Sequence, residues 1–258
     1  MADDIGLQHT LAQGVLTITL NRPKANAFDR PMAQELTKVF RDAGRDEAVR
    51  VILLAAAGKL FSAGQDVGEF GGDRQVSFRQ HLLQTYNPLI LQMRRFEKPV
   101  LAAINGPVAG AALGIVLACD LRIAAQNAKF VVGFLGIGLA PDSAVSLLLP
   151  AMIGLGRATE ATFTNQTIDS AQALAWGLVN RVVPAEDLPA AAATWAAELA
   201  AGPVGAMGLA KRDFNRAHLG HLEEILDYEA YNQDIAGRRP EHAEGLAAFN
   251  EKRSPRYL

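Results

Sequence analysis

The sequence predicts an α/β fold built on mostly parallel strands, and three observations carry that prediction. Strand and helix signals alternate through the first two thirds of the chain. The strands there are continuous apolar runs, VILLA at 51–55 and VLAAI at 100–104, as strands buried on both faces read. From about residue 142 the strand signal fades, except at 178–183, and the remainder is alanine-rich and helical. A length of 258 residues, half of them hydrophobic, suits one large domain, or one domain with a small appendage.

The elements follow in order. VLTITL at 15–20 alternates as a strand does and ends on the breaker Asn21-Arg22-Pro23. Pro31 opens a helix whose apolar positions Met32, Leu36, Val39, Phe40 and Ala43 share one face. After VILLA, residues 74–95 read as one long helix with Leu82, Leu83, Leu89, Ile90 and Met93 on its apolar side. VLAAI ends in the turn Asn105-Gly106. A helix from about Gly110 to Ala118 and a strand at 121–125 come next. The C-terminal helices are expected at 187–201, 204–218, 221–236 and 240–252, with Pro203 and Pro240 as first-turn prolines. They could cap the core, mediate oligomerisation, or both.

Charge and composition exclude several classes. The formal net charge is −2 and the basic residues are scattered, which suits neither nucleic acid nor an anionic membrane surface. The five histidines are dispersed and no Cys/His cluster has metal-ligand spacing. Cys119, the single cysteine, sits in IVLACD and reads as a small buried hydrophobe. The acidic, polar start MADDIGLQHT is unlike a signal peptide, and no apolar stretch is long enough for a bilayer, so a cytoplasmic chain is expected.

Two strand-to-helix junctions bring a small residue beside a glycine: FSAGQDV at 61–67 and INGPVAG at 104–110. Ligands collect at the carboxyl ends of strands in such sheets, and small residues let them approach the backbone. The Gly110 amide would also sit at a helix start, where negative charge is favoured. Taken singly, each segment reads as an ordinary turn. A nucleotide site is excluded in detail, because neither G-x-G-x-x-G nor G-x-x-x-x-G-K-[ST] occurs.

Taken together, NRPKANA at 21–27, FSAGQDV, KPVLAAINGPVAGAALGIVLACDLRIAA at 98–125 and the tail AFNEKRSP resemble the crotonase (enoyl-CoA hydratase/isomerase) superfamily over about residues 7 to 257. The resemblance implies a crotonase-like spiral of repeated ββα units, at 1–195, and a helical C-terminal trimerisation region, at 196–258. It implies trimers or dimers of trimers and an acyl-CoA substrate, with no cofactor beyond the coenzyme A of that substrate. By matching position, Ala63 and Gly110 carry two oxyanion-hole amides, worth about 3–4 kcal/mol each at a transition state. Lys24, Ala25 and Ala27 line the coenzyme A site, as do Gln65, Asp66 and Val67, with Gly64 between the two sets. Phe249 and Lys252 match positions that reach the coenzyme A of a neighbouring subunit. On local evidence, Lys252 could equally be a solvated charge and Phe249 a core residue.

Hydratases of this superfamily resemble one another in using two glutamates. Gly114 and Phe134 stand at those positions here. One carboxylate remains nearby, Asp142 in GLAPDS. It reads either as the N-cap of the helix opening AVSLLL or as a single general base facing Phe134 and Leu139. A single base suits a 1,3-proton shift, and AKFVVGFLGIGLAPDS with YNPL at 86–89 resembles the ring-epoxide isomerase branch, which is similar to the Δ3–Δ2 isomerases. The chain departs from that pattern at Ala144-Val145-Ser146, where Gly-Gly-Thr is common, and at Ala111-Ala112. The expectation is an isomerase with Asp142 as base. The alternatives are a hydratase with an atypical proton donor and a non-catalytic acyl-CoA-binding subunit. Glu69, His81 and Tyr86 read as surface or helix-face residues.

Overall fold

The structure, a computed structural model, describes residues 5–23, 25–70 and 77–257. Strands β1 (Leu7–Ala12) and β2 (Val15–Leu20) form a hairpin. Helix α1 (Arg30–Arg45) leads to β3 (Val51–Ala56). Helices α2 (Phe78–Gln84) and α3 (Tyr86–Arg95) lead to β4 (Val100–Ile104), β5 (Val108–Ala109) and α4 (Ala111–Ala118). Then come β6 (Leu121–Ala125), β7 (Lys129–Val131), α5 (Val145–Ile153) and α6 (Leu155–Phe163). After β8 (Thr167–Asp169), α7 (Ser170–Ala175) and β9 (Arg181–Val183), the chain ends in α8 (Leu188–Ala201), α9 (Val204–His218), α10 (Leu222–Ala236) and α11 (Pro240–Asn250).

Among the described residues, six strands form one sheet in the order β1-β2-β3-β4-β6-β9, parallel from β2 onward. A second sheet, β5-β7-β8, runs beside it. Successive turns of the chain give one strand to each sheet: β4 then β5, β6 then β7. This is the expected repeated ββα organisation. The apolar runs are explained by the packing. Ile52, Leu54, Ala102 and Ile104 face the main core, while Val51, Leu53, Leu101 and Ala103 face Leu188, Ala192, Trp195 and Ala196 of α8. A boundary between 195 and 196 therefore falls inside a helix that packs as one piece on the sheet.

Helix α1 forms as its sequence dictates. The Asp29 side chain accepts from Met32 N at 2.9 Å, Pro31 lies in the first turn, and all five expected apolar residues are buried. The single helix expected over 74–95 is instead two helices, and residues 71–76 lie outside the described set. The break is at Thr85 (φ −129°, ψ −83°), whose hydroxyl takes the His81 carbonyl at 2.7 Å. Pro88 lacks an N–H and would clash with a carbonyl four residues back, so it fits only the first turn of a new helix. Pro203 is an N-cap rather than a first-turn residue, and 178–183 is strand only over 181–183. Cys119 is buried, and burial pushes its thiol up to about 12, which leaves it unreactive. Among the described residues, no helix is long and apolar enough to cross a membrane.

Candidate active site

Three segments from different parts of the chain come side by side. Ser62 bridges Val108, and Ala109 N donates to Ser62 O at 3.1 Å, so the two strand-to-helix junctions are joined. Phe28 N donates to Gly64 O and Asp66 N to Phe28 O, each at 2.7 Å, which attaches the 25–28 turn. Gly64 (φ +88°) is required there, since a Cβ would stand 2.7 Å from Ala109 O. Gly110 (φ 58°, ψ −133°) adopts a conformation that only glycine takes readily and caps α4. Ala25 (φ 66°) and Asn26 (φ 51°) make a left-handed turn without glycine. The buried Asn26 amide holds it by donating to Ala57 O and Leu60 O, while Arg22 reaches Ala27 O and Asp66.

These segments bound a cavity of about 1320 Å³. Of the residues expected at the site, Ala25, Ala27, Ala63, Gln65, Asp66 and Val67 line it on one side. Gly110, Phe134, Leu139 and Asp142 line it on the other. Gly64 packs against Ala109 instead of facing it, and Lys24 lies outside the described residues. Phe249 and Lys252 stand at this chain's own cavity. Helix α11, which packs on the 135–137 turn, brings both to the cavity mouth of the same chain. Both amides expected in the oxyanion hole are engaged. Ala63 N donates to Ala25 O at 3.1 Å and Gly110 N to Val131 O at 3.3 Å.

Two of the residues read as surface or helix-face groups lie on helix faces turned to the cavity. Tyr86 and His81 are buried at the cavity wall, where the Tyr86 hydroxyl (2.7 Å) and His81 Nε2 (2.9 Å) both donate to Gln65 Oε1. Burial lowers His81 to about 4 and, with Asp142 next, raises the Tyr86 phenol well above its ordinary value. Glu69 is exposed, as read.

Asp142 is buried and does not cap α5; the N-cap residue is Ala144. Its Oδ1 accepts from Ser143 Oγ at 2.7 Å and its Oδ2 from Gln233 Nε2 at 2.6 Å. Burial raises it to about 6, and the Gln233 and Ser143 hydrogen bonds only partly oppose the rise. Desolvation thus wins over hydrogen bonding, the question that the residues alone left open. The helix cap is supplied by Glu229 of α10, which accepts from Ala144 N at 2.8 Å and Ser146 N at 3.0 Å. Glu229 and Gln233 were not foreseen. The available signal was their place on the face of α10 that buries Leu222, Leu226 and Ala230.

At the first hydratase position, a Cβ on Gly114 would lie 2.4 Å from Ser143 O and 2.5 Å from Ser143 Cβ. The backbone before α5 fills the space that a glutamate would need. At the second, buried Phe134 supplies an apolar wall.

The enoyl-CoA hydratase/isomerase family profile matches residues 10–258. The chain belongs to that family. A crotonase relative, 1,2-epoxyphenylacetyl-CoA isomerase of Escherichia coli, is 37% identical over 249 residues, covering 95% of each chain. Another, 4-chlorobenzoyl coenzyme A dehalogenase-2 of an Arthrobacter species, is 36% identical over 96% of this chain and 91% of its own. The crystal structure of an enoyl-CoA hydratase from Mycobacterium avium subsp. paratuberculosis superposes with a TM-score of 0.90 at 33% identity and 98% coverage of both chains. The crotonase fold expected from the sequence is thereby shown, including the helical C-terminal region.

Proposed function

We propose that this crotonase is an acyl-CoA isomerase that moves a double bond through a thioester enolate, with Asp142 as its single general base. The observation that carries this reading is the pairing of a buried carboxylate at the cavity wall with a Gly114 whose side-chain space is closed. Its relatives bear isomerase, hydratase and dehalogenase names, so the choice rests on site chemistry.

In the proposed reaction Asp142 takes the C2 proton of a 3-enoyl thioester. The electron pair moves into the thioester carbonyl, and the oxyanion is held by the Ala63 amide and by the Gly110 amide at the N-terminus of α4. Each amide exchanges or shares its present carbonyl partner, the long Gly110 bond more readily. Protonated Asp142 then returns the proton at C4, and the electrons close a C2–C3 double bond. No atom is gained or lost and no water is activated. A pKa of about 6 suits a group that must both accept and return a proton near neutrality.

The substrate's coenzyme A is the only cofactor this needs. Ala25, Ala27, Gln65, Asp66, Val67, Phe249 and Lys252 are proposed to hold it. Phe78, Tyr86 and Phe134 give the acyl end aromatic walls, and two relatives are named for ring-bearing thioesters, so a ring-bearing acyl group is included. A homo-oligomer, trimeric or a dimer of trimers, is proposed from exposed apolar side chains on α6, α9 and α10, among them Phe163, Phe214 and Tyr228.

The test assays purified protein on a linear 3-enoyl-CoA, a ring-bearing thioester and crotonyl-CoA, with Asp142→Asn alongside. Isomerisation is expected to fall at least about 100-fold in the variant. In the parent its rate is expected to drop below a pH of about 6. Full isomerase activity in Asp142→Asn, or robust hydration of crotonyl-CoA by the parent, would sink the proposal.

A further inference from the structure

The turn that carries Asp142 is held from outside, by one face of α10. Ser143 (φ 56°) and Ala144 (φ 64°) follow Asp142 as two successive left-handed residues, and neither is glycine. L residues disfavour that conformation, so a neighbour must over-determine it. The first amides of α5 also lack a cap from their own segment, because Ala144 has no capping group.

Glu229 meets both needs. Its Oε2 accepts from Ala144 N and its Oε1 accepts from both the amide and the hydroxyl of Ser146. One helical turn later, Gln233 grips the other side. Its Nε2 donates to Asp142 Oδ2 at 2.6 Å and its Oε1 accepts from Ala140 N at 3.1 Å. The backbone is thus pinned before and after Asp142, and one carboxylate oxygen is pinned directly. Both α10 side chains are buried, Glu229 at 3% and Gln233 at 1% exposure, although both are polar residues. Burying a carboxylate and an amide on a helix face otherwise made of Leu222, Leu226 and Ala230 is costly without such partners.

We infer that Glu229 and Gln233 are positioning residues that hold Asp142 in its proton-transferring geometry by clamping the left-handed Ser143–Ala144 turn. This rests on Asp142 being the base. The Gln233 bond also favours the ionised carboxylate, so losing it makes Asp142 a weaker acid. Among the described residues, the titratable groups that interact with Asp142 are Glu229 itself and the Tyr86 phenol of α3, while His81 of α2, Asp66 and Lys252 line the same cavity. Burial raises Glu229 to about 7, partly opposed by its bonds from Ser146 and Ala144.

The experiment measures isomerisation of a 3-enoyl-CoA from pH 5 to 9, with thermal midpoints, for Gln233→Leu, Gln233→Met, Glu229→Gln, Ala144→Gly and the Glu229→Gln/Ala144→Gly double variant. Gln233→Leu and Gln233→Met should move the acid limb of kcat up by about one unit. That lowers kcat near the limb about tenfold, with KM changed less than about twofold. Glu229→Gln keeps an acceptor but faces a donor amide with its other arm, and should lose about 10–100-fold in kcat at near-constant KM. Ala144→Gly takes the left-handed turn unaided and should restore about tenfold of that loss in the double variant. A kcat and pH limb unchanged in the Gln233 variants would overturn the clamp. So would a double variant that regains its thermal midpoint but not its kcat, because the rate would then depend on Glu229 by a route other than the turn. Should Glu229→Gln not fold, the double variant and the Gln233 pair decide alone. Activity retained by Asp142→Asn removes the base itself. Activity lost there but kept in every α10 variant removes only the clamp.

Discussion

Asp142 takes its character from what encloses it. Two hydrogen bonds would hold an exposed aspartate low, yet burial carries this one to about 6. The residue type and its approximate place were readable from GLAPDS. The direction of its pKa was not, because it depends on how far burial outweighs the opposing bonds from Ser143 and from Gln233, distant in sequence. Gly114 illustrates the same limit. The sequence shows a missing carboxylate there, while the structure shows that none can be accommodated, since Ser143 occupies the space. Restoring the glutamate is therefore a sharp test. Gly114→Glu is expected to destabilise the protein by about 3 kcal/mol, at the upper end of overpacking costs, and to give no hydration of crotonyl-CoA. Urea denaturation and the loss of enoyl absorbance check the two halves. A variant as stable as the parent that adds water would show that the turn before α5 yields easily.

At the scale of elements, the buried apolar strands β3, β4 and β6 and the amphipathic α1 could be read directly, because each carries its packing in its own period. The edge strand β1 could not, since five of its six residues face solvent and offer no burial pattern. β5, β7 and β8 are two or three residues long, too short to show a period, yet β5 and β7 deliver the residues that flank Gly110 and Phe134. The break at Thr85 was hidden by a continuous apolar face. The docking of α9 was also invisible, because it depends on charges far apart in sequence. Lys211 of α9 reaches Asp120 Oδ2 at 2.8 Å and Met93 O at 3.0 Å, while Arg94 of α3 meets Asp120 Oδ1 at 3.0 Å. One carboxylate thus serves two largely buried cations. Asp120→Ala strands both and leaves Val100 N without its partner. It is expected to cost about 3–5 kcal/mol, whereas Glu223→Ala, which breaks an exposed pair with Arg95, should cost less than about 1. Chemical denaturation of the two variants, side by side, checks the contrast.

For the whole molecule, the site has a thermodynamic consequence that global stability can report. A carboxyl whose folded pKa is raised is neutral in both states at low pH and costs nothing there. As pH rises from about 4, the unfolded chain ionises it first, and folding must hold the proton or bury the charge. For Asp142, raised from 3.8 to about 6, the cost grows across that window and then stays constant at about 3 kcal/mol. Glu229, raised to about 7, carries the same sign, and part of its rise comes from the Asp142 charge. Asn at 142 keeps the shape, can still accept from Gln233, and can donate to Ser143 Oγ. Asp142→Asn should therefore unfold like the parent near pH 4 and be more stable by about 3 kcal/mol above pH 7, with the gap opening between those values. Relief of Glu229 can only widen it. Urea midpoints from pH 4 to 8 measure this without any substrate, so the result is independent of which thioester the enzyme prefers. If the variant matches the parent at pH 8, the carboxylate is solvated in the folded protein, and the case for a poised, buried base weakens with it.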